Sequence, residues 1–214
     1  MIRAALFDLD GTLQDSEILW VYATRDYVRT IGVDLTDEEA IQLVYGHSWR
    51  QIYETIVRLA PGCRLGLSEM ADLVRDHFVR LSSERDIAIP GSVALLRRLA
   101  AEMPVAIVSG SVHADIAIAV DKLKIGDLLR FFLGGDEYGL GKPAPDCYLE
   151  AARRIGVPPA ECVVFEDSTA GIRAAKAAGI RCVALNIAGR PAQQLDLADL
   201  VLADLSAFDP KALE

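Results

Sequence analysis

The sequence predicts an α/β protein: a parallel sheet covered on both faces by helices, with an all-helical block inserted after the first strand. Three observations predict it. Short apolar runs alternate with helical stretches from about residue 87 onward, as in parallel sheets buried on both faces. Residues 15–86 carry helix caps and helical periodicity without strand-like alternation. A buried-strand run, Arg3 to Phe7, precedes that block. Residues 1–14 and 87–214 are therefore expected to form one unit and residues 15–86 another.

The elements follow in order. Asp15 and Ser16 are good caps for a helix to about Thr30, which Gly32 ends. Thr36-Asp37-Glu38-Glu39 is a capping box opening a second helix. Gly46-His47-Ser48 breaks it, and Ser48 caps a third helix to about Leu59. Pro61-Gly62 marks a loop, and Ser68 is expected to cap a fourth helix to about Ser82. Beyond Pro90-Gly91, helices are expected at about Ser92–Ala101, Ser111–Leu123, Pro145–Ile155 and Ser168–Ala178. Strands are expected at Val105–Val108, Phe131–Leu133, Cys162–Phe165, Cys182–Leu185 and around Leu200-Val201.

Bulk composition narrows the function. The 214 residues suffice for one sizeable core with a smaller inserted unit. A net charge of −9 leaves no basic footprint for nucleic acid or anionic membrane. No apolar run is long enough to span a membrane, and the start lacks a secretory pattern, so a cytoplasmic protein is expected. Cys63, Cys147, Cys162 and Cys182 form no CxxC pair and are expected as reduced thiols. Three histidines give little support to a zinc site or a Ser-His-Asp triad.

The chemistry concentrates at strand ends. In Leu6-Phe7-Asp8-Leu9-Asp10-Gly11-Thr12-Leu13 two carboxylates stand two residues apart, where a strand meets a glycine turn. Residues i and i+2 of an extended segment share a side, so Asp8 and Asp10 are expected to meet in one small volume. Carboxylates that close need a proton or a cation between them, and Mg2+ is the usual hard, oxygen-loving choice. Three further strand ends carry Ser109-Gly110-Ser111, Gly141-Lys142-Pro143 and Glu166-Asp167-Ser168. Open α/β sheets place their sites beyond the carboxyl ends of the strands. The set suits phosphoryl transfer: a carboxylate nucleophile, a carboxylate proton shuttle, a Ser-Gly-Ser phosphate seat at a helix start, and a lysine point charge.

The segments FDLDGT, IVSGS, GKPAPD and FEDSTAG, in this order, resemble the four signature segments of the haloacid dehalogenase (HAD) superfamily, in its phosphatase and phosphomutase branch. The resemblance implies a Rossmann-like, doubly wound core with an inserted helical cap. It implies Asp8 as nucleophile and Asp10 as general acid/base. Thr12, Ser109 and Gly110 would assist the phosphoryl group, with Lys142 as bridging cation. Mg2+ would be held by Asp8, the Asp10 backbone carbonyl and Asp167, with Glu166 nearby. The second Asp of the first motif argues against a dehalogenase.

Substrate choice is expected to lie in the helical block. Arg50 is the first candidate and His47 the second, in the Gly46–Arg50 loop; Trp20 stands on the first helix, and Ser111 and His113 follow the second motif. A phosphatase for a small phosphorylated sugar, sugar acid or sugar alcohol is the leading reading, acting as a monomer or weak dimer. A β-phosphoglucomutase-like phosphomutase, a phosphoglycolate phosphatase and a non-catalytic binding module are the alternatives. Trp20 stands where the mutase branch has a His, and Leu73-Val74-Arg75-Asp76 where it has a cap Lys. Residues 15–86 contain no Lys at all, which counts against Schiff-base phosphonate chemistry.

Overall fold

The computed structural model describes residues 1–45 and 47–213, apart from the side chain of Ser83. The chain divides into two compact units, Met1–Gln14 with Ala88–Glu214, and Asp15–Ile87. Ile87 thus falls with the helical unit, one residue past the expected boundary. The Asp15 N–H donates to the Ile87 carbonyl at 2.8 Å and ties the two ends of that unit together.

In the α/β unit the strands are β1 (Ala4–Phe7), β2 (Val105–Val108), β3 (Phe131–Leu133), β4 (Cys162–Glu166), β5 (Arg181–Leu185) and β6 (Leu200–Leu202). They pair in parallel in the order β3-β2-β1-β4-β5-β6. This is a doubly wound order, and it reverses direction beside β1. β1 lies between β2 and β4, with Phe7 opposite Ile107 on one side and Phe165 on the other. The Phe7 and Phe165 rings stack with centroids 4.5 Å apart. Alternate residues feed opposite faces: Ala4 and Leu6 join the cluster with Tyr148 and Ile172, while Ala5 and Phe7 join the one with Leu95 and Ile116.

The unit's helices are α5 (Pro90–Ala100), α6 (His113–Leu123), α7 (Asp146–Ile155) and α8 (Thr169–Ala177), numbered after the four of the other unit. The start of α6 differs from expectation by two residues. Val112 precedes it without any side-chain cap, and the His113 N–H is taken instead by Asp136 Oδ1 at 2.9 Å. The start of α5 also differs: Pro90 itself opens the helix, as its fixed φ and missing N–H allow at a first turn.

The helical unit holds α1 (Ser16–Thr30), α2 (Asp37–Val44), α3 (Trp49–Leu59) and α4 (Leu67–Glu84). Asp15 caps α1, accepting from the Ile18 N–H at 3.2 Å. Thr36 and Glu39 form the expected capping box, and Ser48 and Gln51 form another at α3. The fourth helix starts earlier than Ser68: Gly66 is its cap, and Glu69 reaches back to the Gly66 N–H at 2.8 Å. Leu19, Tyr27, Val28, Ile52, Ile56, Met70 and Val74 fill this unit's own core. Gly46 lies outside the described residues. No helix among the described residues is long and apolar enough to cross a membrane.

Candidate active site

The site lies at the carboxyl ends of β1, β2 and β4. Asp8 follows β1 directly and is buried; its N–H donates to the Phe165 carbonyl at 2.9 Å, which continues the β1–β4 ladder one residue past the strand. The chain then folds back at once: the N–H groups of Leu13 and Gln14 both point at the Leu9 carbonyl, at 2.8 and 3.0 Å. Gly11 sits in this turn at φ +92°, and a Cβ there would run into the Asp167 carboxylate. Only glycine meets both demands without strain.

β1 ends at Phe7, and Asp8 and Asp10 follow it at the start of the turn. The turn gives the two carboxylates different partners. Asp10 Oδ1 accepts from Gln14 Nε2 at 3.0 Å, and Oδ2 from the hydroxyls of Ser111 at 2.8 Å and Ser109 at 3.3 Å. Asp8 instead meets Glu166 and Asp167, one ligand oxygen from each lying within 4.8 Å of the others.

Lys142 joins this cluster. Its Nζ donates to Asp8 Oδ1 at 2.5 Å, Glu166 Oε1 at 2.6 Å and the Val108 carbonyl at 3.4 Å. Burial would strip the lysine of its proton, but Asp8 and Glu166 outweigh it and hold its pKa well above the ordinary value. Glu166 is likewise held below the usual carboxylate range, burial being outweighed by Lys142 and the Ser168 donors. Its two oxygens already accept from Lys142, Tyr148 Oη (3.1 Å), the N–H groups of Asp167 and Ser168, and Ser168 Oγ. Glu166 thus anchors Lys142 while one of its oxygens stands with those of Asp8 and Asp167.

Asp8 and Asp167 are the cluster's strained carboxylates. Burial raises Asp8 well above its usual pKa, Lys142 pulling the other way and Glu166 and Asp167 adding to the rise. Burial and then Glu166 push Asp167 up to about 7, against Arg190 and the Thr12 hydroxyl. Oxygen donors crowded at like charge are the environment a hard divalent cation relieves, so these residues fit such a cation.

The structure places the other predicted residues as follows. Thr12 is buried and gives its hydroxyl to Asp167 Oδ1 at 3.1 Å. Ser109 is buried, its N–H on the Leu133 carbonyl at 3.0 Å, and its Oγ accepts from the Ser111 N–H at 3.0 Å. Ser111, expected to touch substrate, is turned onto Asp10. Gly110 is exposed between them. His113 is an exposed residue of the α6 start that pairs with Glu137 at 2.7 Å and packs against Phe132.

The helical unit holds a separate pocket of about 530 Å³, lined among others by Glu17, Trp20, Tyr45, His47, Trp49 and Arg75. Trp20 stacks on Phe78 at 4.1 Å. Arg50, the first expected specificity residue, is exposed and does not line this pocket, whereas Arg75 does. The difference is one of helix phase: on α3 the wall residues are Trp49 and Ile52, and Arg50 falls between them on another side of the helix.

Sequence reasoning missed Tyr148 and Arg190, and it met Arg75 only as part of the stretch where the mutase branch has a cap Lys, without making it a site residue. Tyr148 carried a readable signal, since a tyrosine on the buried face of a predicted helix needs a partner for its hydroxyl. Arg190 carried none: its Nη1 donates to the Gly11 carbonyl at 2.6 Å, and the two residues are 179 positions apart.

A doubly wound sheet with an Asp-Lys-Glu-Asp cluster at the carboxyl ends of its strands is a constellation suited to phosphoryl transfer. The chain belongs to the haloacid dehalogenase-like hydrolases, whose family model matches residues 2–179. It is 36% identical to hexitol phosphatase A of Escherichia coli (strain K12) over 95% of this chain and 91% of that protein. It is 30% identical to protein CbbY of Rhodobacter capsulatus over 99% and 97% of the two chains. The crystal structure of CbbY from Rhodobacter sphaeroides in complex with phosphate superposes with a TM-score of 0.67 at 28% identity, covering 100% of this chain and 99% of that one.

Proposed function

We propose that this chain is a Mg2+-dependent phosphatase that hydrolyses a small phosphorylated sugar, sugar alcohol or sugar acid through a phospho-Asp8 intermediate. The observation that carries the reading is Asp8 itself: a buried carboxylate at the end of the central strand, bridged by Lys142 to Glu166 and standing beside Asp167. The family membership and the likeness to a hexitol phosphatase support the substrate class.

Asp8 attacks the phosphorus, forming an Asp8–O–P bond as the ester P–O bond breaks. Protonated Asp10 gives its proton to the departing alkoxide. Water then attacks the same phosphorus and passes its proton to Asp10, and the Asp8–O–P bond breaks to release inorganic phosphate. Lys142 neutralises Asp8 before attack and phosphoryl oxygens after it, while Ser109 and the Gly110 amide receive the phosphoryl group. Mg2+ would be held by Asp8, Asp167 and the Asp10 backbone carbonyl and would supply charge neutralisation at the phosphoryl oxygens. Ser109, Ser111 and Gln14 hold Asp10 in place for its two proton transfers.

The organic part of the substrate is read by the helical unit's pocket, where Trp20, Tyr45 and Trp49 offer sugar-stacking faces and Arg75 and His47 offer polar contacts. Phosphate release is measured with and without Mg2+ across hexitol phosphates, sugar phosphates, sugar-acid phosphates and phosphoglycolate, with Asp8→Asn as blank. Mg2+-dependent release favouring one sugar-type substrate is expected. No Mg2+-dependent release from any of them rejects the phosphatase reading and turns the test to β-glucose 1-phosphate isomerisation with a bisphosphate primer.

A further inference from the structure

One loop outside the four motifs reaches into the acidic cluster. It joins β5 to β6 and carries Arg190, whose side chain is only 14% exposed. Arg190 Nη1 donates to the Gly11 carbonyl at 2.6 Å and lies 3.8 Å from Asp167 Oδ2. The loop is fastened to the first turn of α8, just past Asp167. Gln193 Oε1 accepts from the Thr169 N–H at 2.9 Å and its hydroxyl at 2.8 Å. The Gln194 N–H donates to Thr169 Oγ1 at 2.8 Å, and Arg173 Nη2 donates to Gln194 Oε1 at 2.6 Å.

Three pieces are therefore packed together: the Gly11 turn, the Asp167 carboxylate that fills the space a Gly11 Cβ would need, and the Arg190 guanidinium. Asp167 has the Thr12 hydroxyl on Oδ1 and the guanidinium near Oδ2, so both its oxygens are oriented from outside. A single guanidinium nitrogen, Nη1, both bonds the turn and faces the carboxylate.

Building on the cation site proposed above, we infer that Arg190 is a positioning residue for that site: it locks the Gly11 turn against Asp167 and holds the carboxylate in the orientation a divalent cation takes. It does not ligate the cation. Groups that orient metal ligands are typically worth about 10- to 100-fold in metal affinity. A purely electrostatic role has the opposite sign, because removing a positive charge 3.8 Å from a ligand oxygen tightens cation binding.

The test is Mn2+ binding to the full chain, followed by the EPR signal of free Mn2+, with no substrate present. Arg190→Ala is expected to raise the Mn2+ Kd by about tenfold or more. The metal-free Tm should fall by no more than about 4 °C. Arg190→Lys, which keeps the charge and one donor, is expected to recover part of the affinity. An Arg190→Ala Kd equal to or tighter than the parent's overturns the inference, as does an Arg190→Lys Kd no better than that of Arg190→Ala. If Arg190→Ala does not fold, Arg190→Lys decides alone: affinity equal to the parent's overturns the inference, and a weakened Kd at unchanged Tm supports it. Asp167→Asn separates the two readings. A parent that binds no Mn2+ overturns the cation site and this inference together. A parent that binds, an Asp167→Asn that does not, and an Arg190→Ala like the parent overturn only Arg190.

Discussion

The two units of this chain treat charge in opposite ways. At the ends of β1 and β4 the buried Asp8 and Glu166 interlock with the half-buried Lys142 and Asp167: Asp8 and Glu166 hold Lys142 protonated, and Lys142 holds Glu166 ionised. In the helical unit the pocket wall is chiefly aromatic and apolar, and its Arg75 is exposed. The first arrangement suits a reaction in which charge moves through fixed positions. The second suits selection, where stacking faces and a few polar groups discriminate among small molecules. Substitutions in the first unit should therefore act on kcat and on cation binding, and those in the second on KM.

The largest expected effect is that of Asp8→Asn, which removes the nucleophile while keeping its shape. Turnover should fall by on the order of 10⁴-fold or more, the scale reached when a nucleophile is lost. Phosphate-release kinetics near the parent rate would remove Asp8 from that role. Asp10→Asn comes next: kcat should drop by about 10²- to 10⁴-fold, as for lost general acid–base catalysis. A change confined to KM would show instead that Asp10 binds substrate.

A third prediction concerns pH, and it sharpens the contrast because the two carboxylates that carry it lie in the α/β unit. Burial and the neighbouring Glu166 push Asp167 up to about 7, far above an unfolded aspartate, and burial raises Asp8 in the same direction. Between those values the folded state binds more protons than the unfolded one, so metal-free stability falls as pH rises from about 4 to about 7. A cation that binds the deprotonated carboxylates relieves this cost. Mg2+ should thus raise the Tm more at pH 8 than at pH 5.5, measured by thermal melts against EDTA. Equal Tm gains at both pH values would contradict the assignment of these carboxylates as ligands.

The smallest effect is expected in the helical pocket. Arg75→Ala should raise KM by about tenfold for a substrate with a second anionic or hydroxyl-rich end, the worth of one charge-assisted hydrogen bond. Its effect on a plain aryl phosphate should be slight. Arg50→Ala should change neither by as much as twofold. The reverse order would return Arg50 to the role that its loop position suggested.

Some of this was legible in one dimension. The parallel sheet shows because its strands are short apolar runs spaced by helices, and the catalytic groups show because they stand where those runs end. Asp8, Lys142, Glu166 and Asp167, up to 159 positions apart, could be grouped because each stands at or beyond the end of a strand of one parallel sheet, and parallel strands deliver their ends to one edge. Local capping was readable at Asp15, Thr36 and Ser48, where side chain and backbone lie within three residues. It failed at α6, whose first N–H is capped by Asp136 from 23 residues away.

The sequence by itself determined the order of strands and helices, the division near residues 14 and 87, and the residue types at each strand end. These follow from periodicity and local hydrogen bonding, which act over a few residues. Only the tertiary structure decided which groups those residues hold. It gave Asp10 the partners Ser109, Ser111 and Gln14, bound Glu166 to Lys142, Tyr148 and Ser168, and set Arg75 rather than Arg50 in the pocket wall. It also brought Arg190 to Gly11. A side chain's partner depends on the direction in which its backbone presents it and on what distant segments pack there, and neither is carried by local sequence pattern.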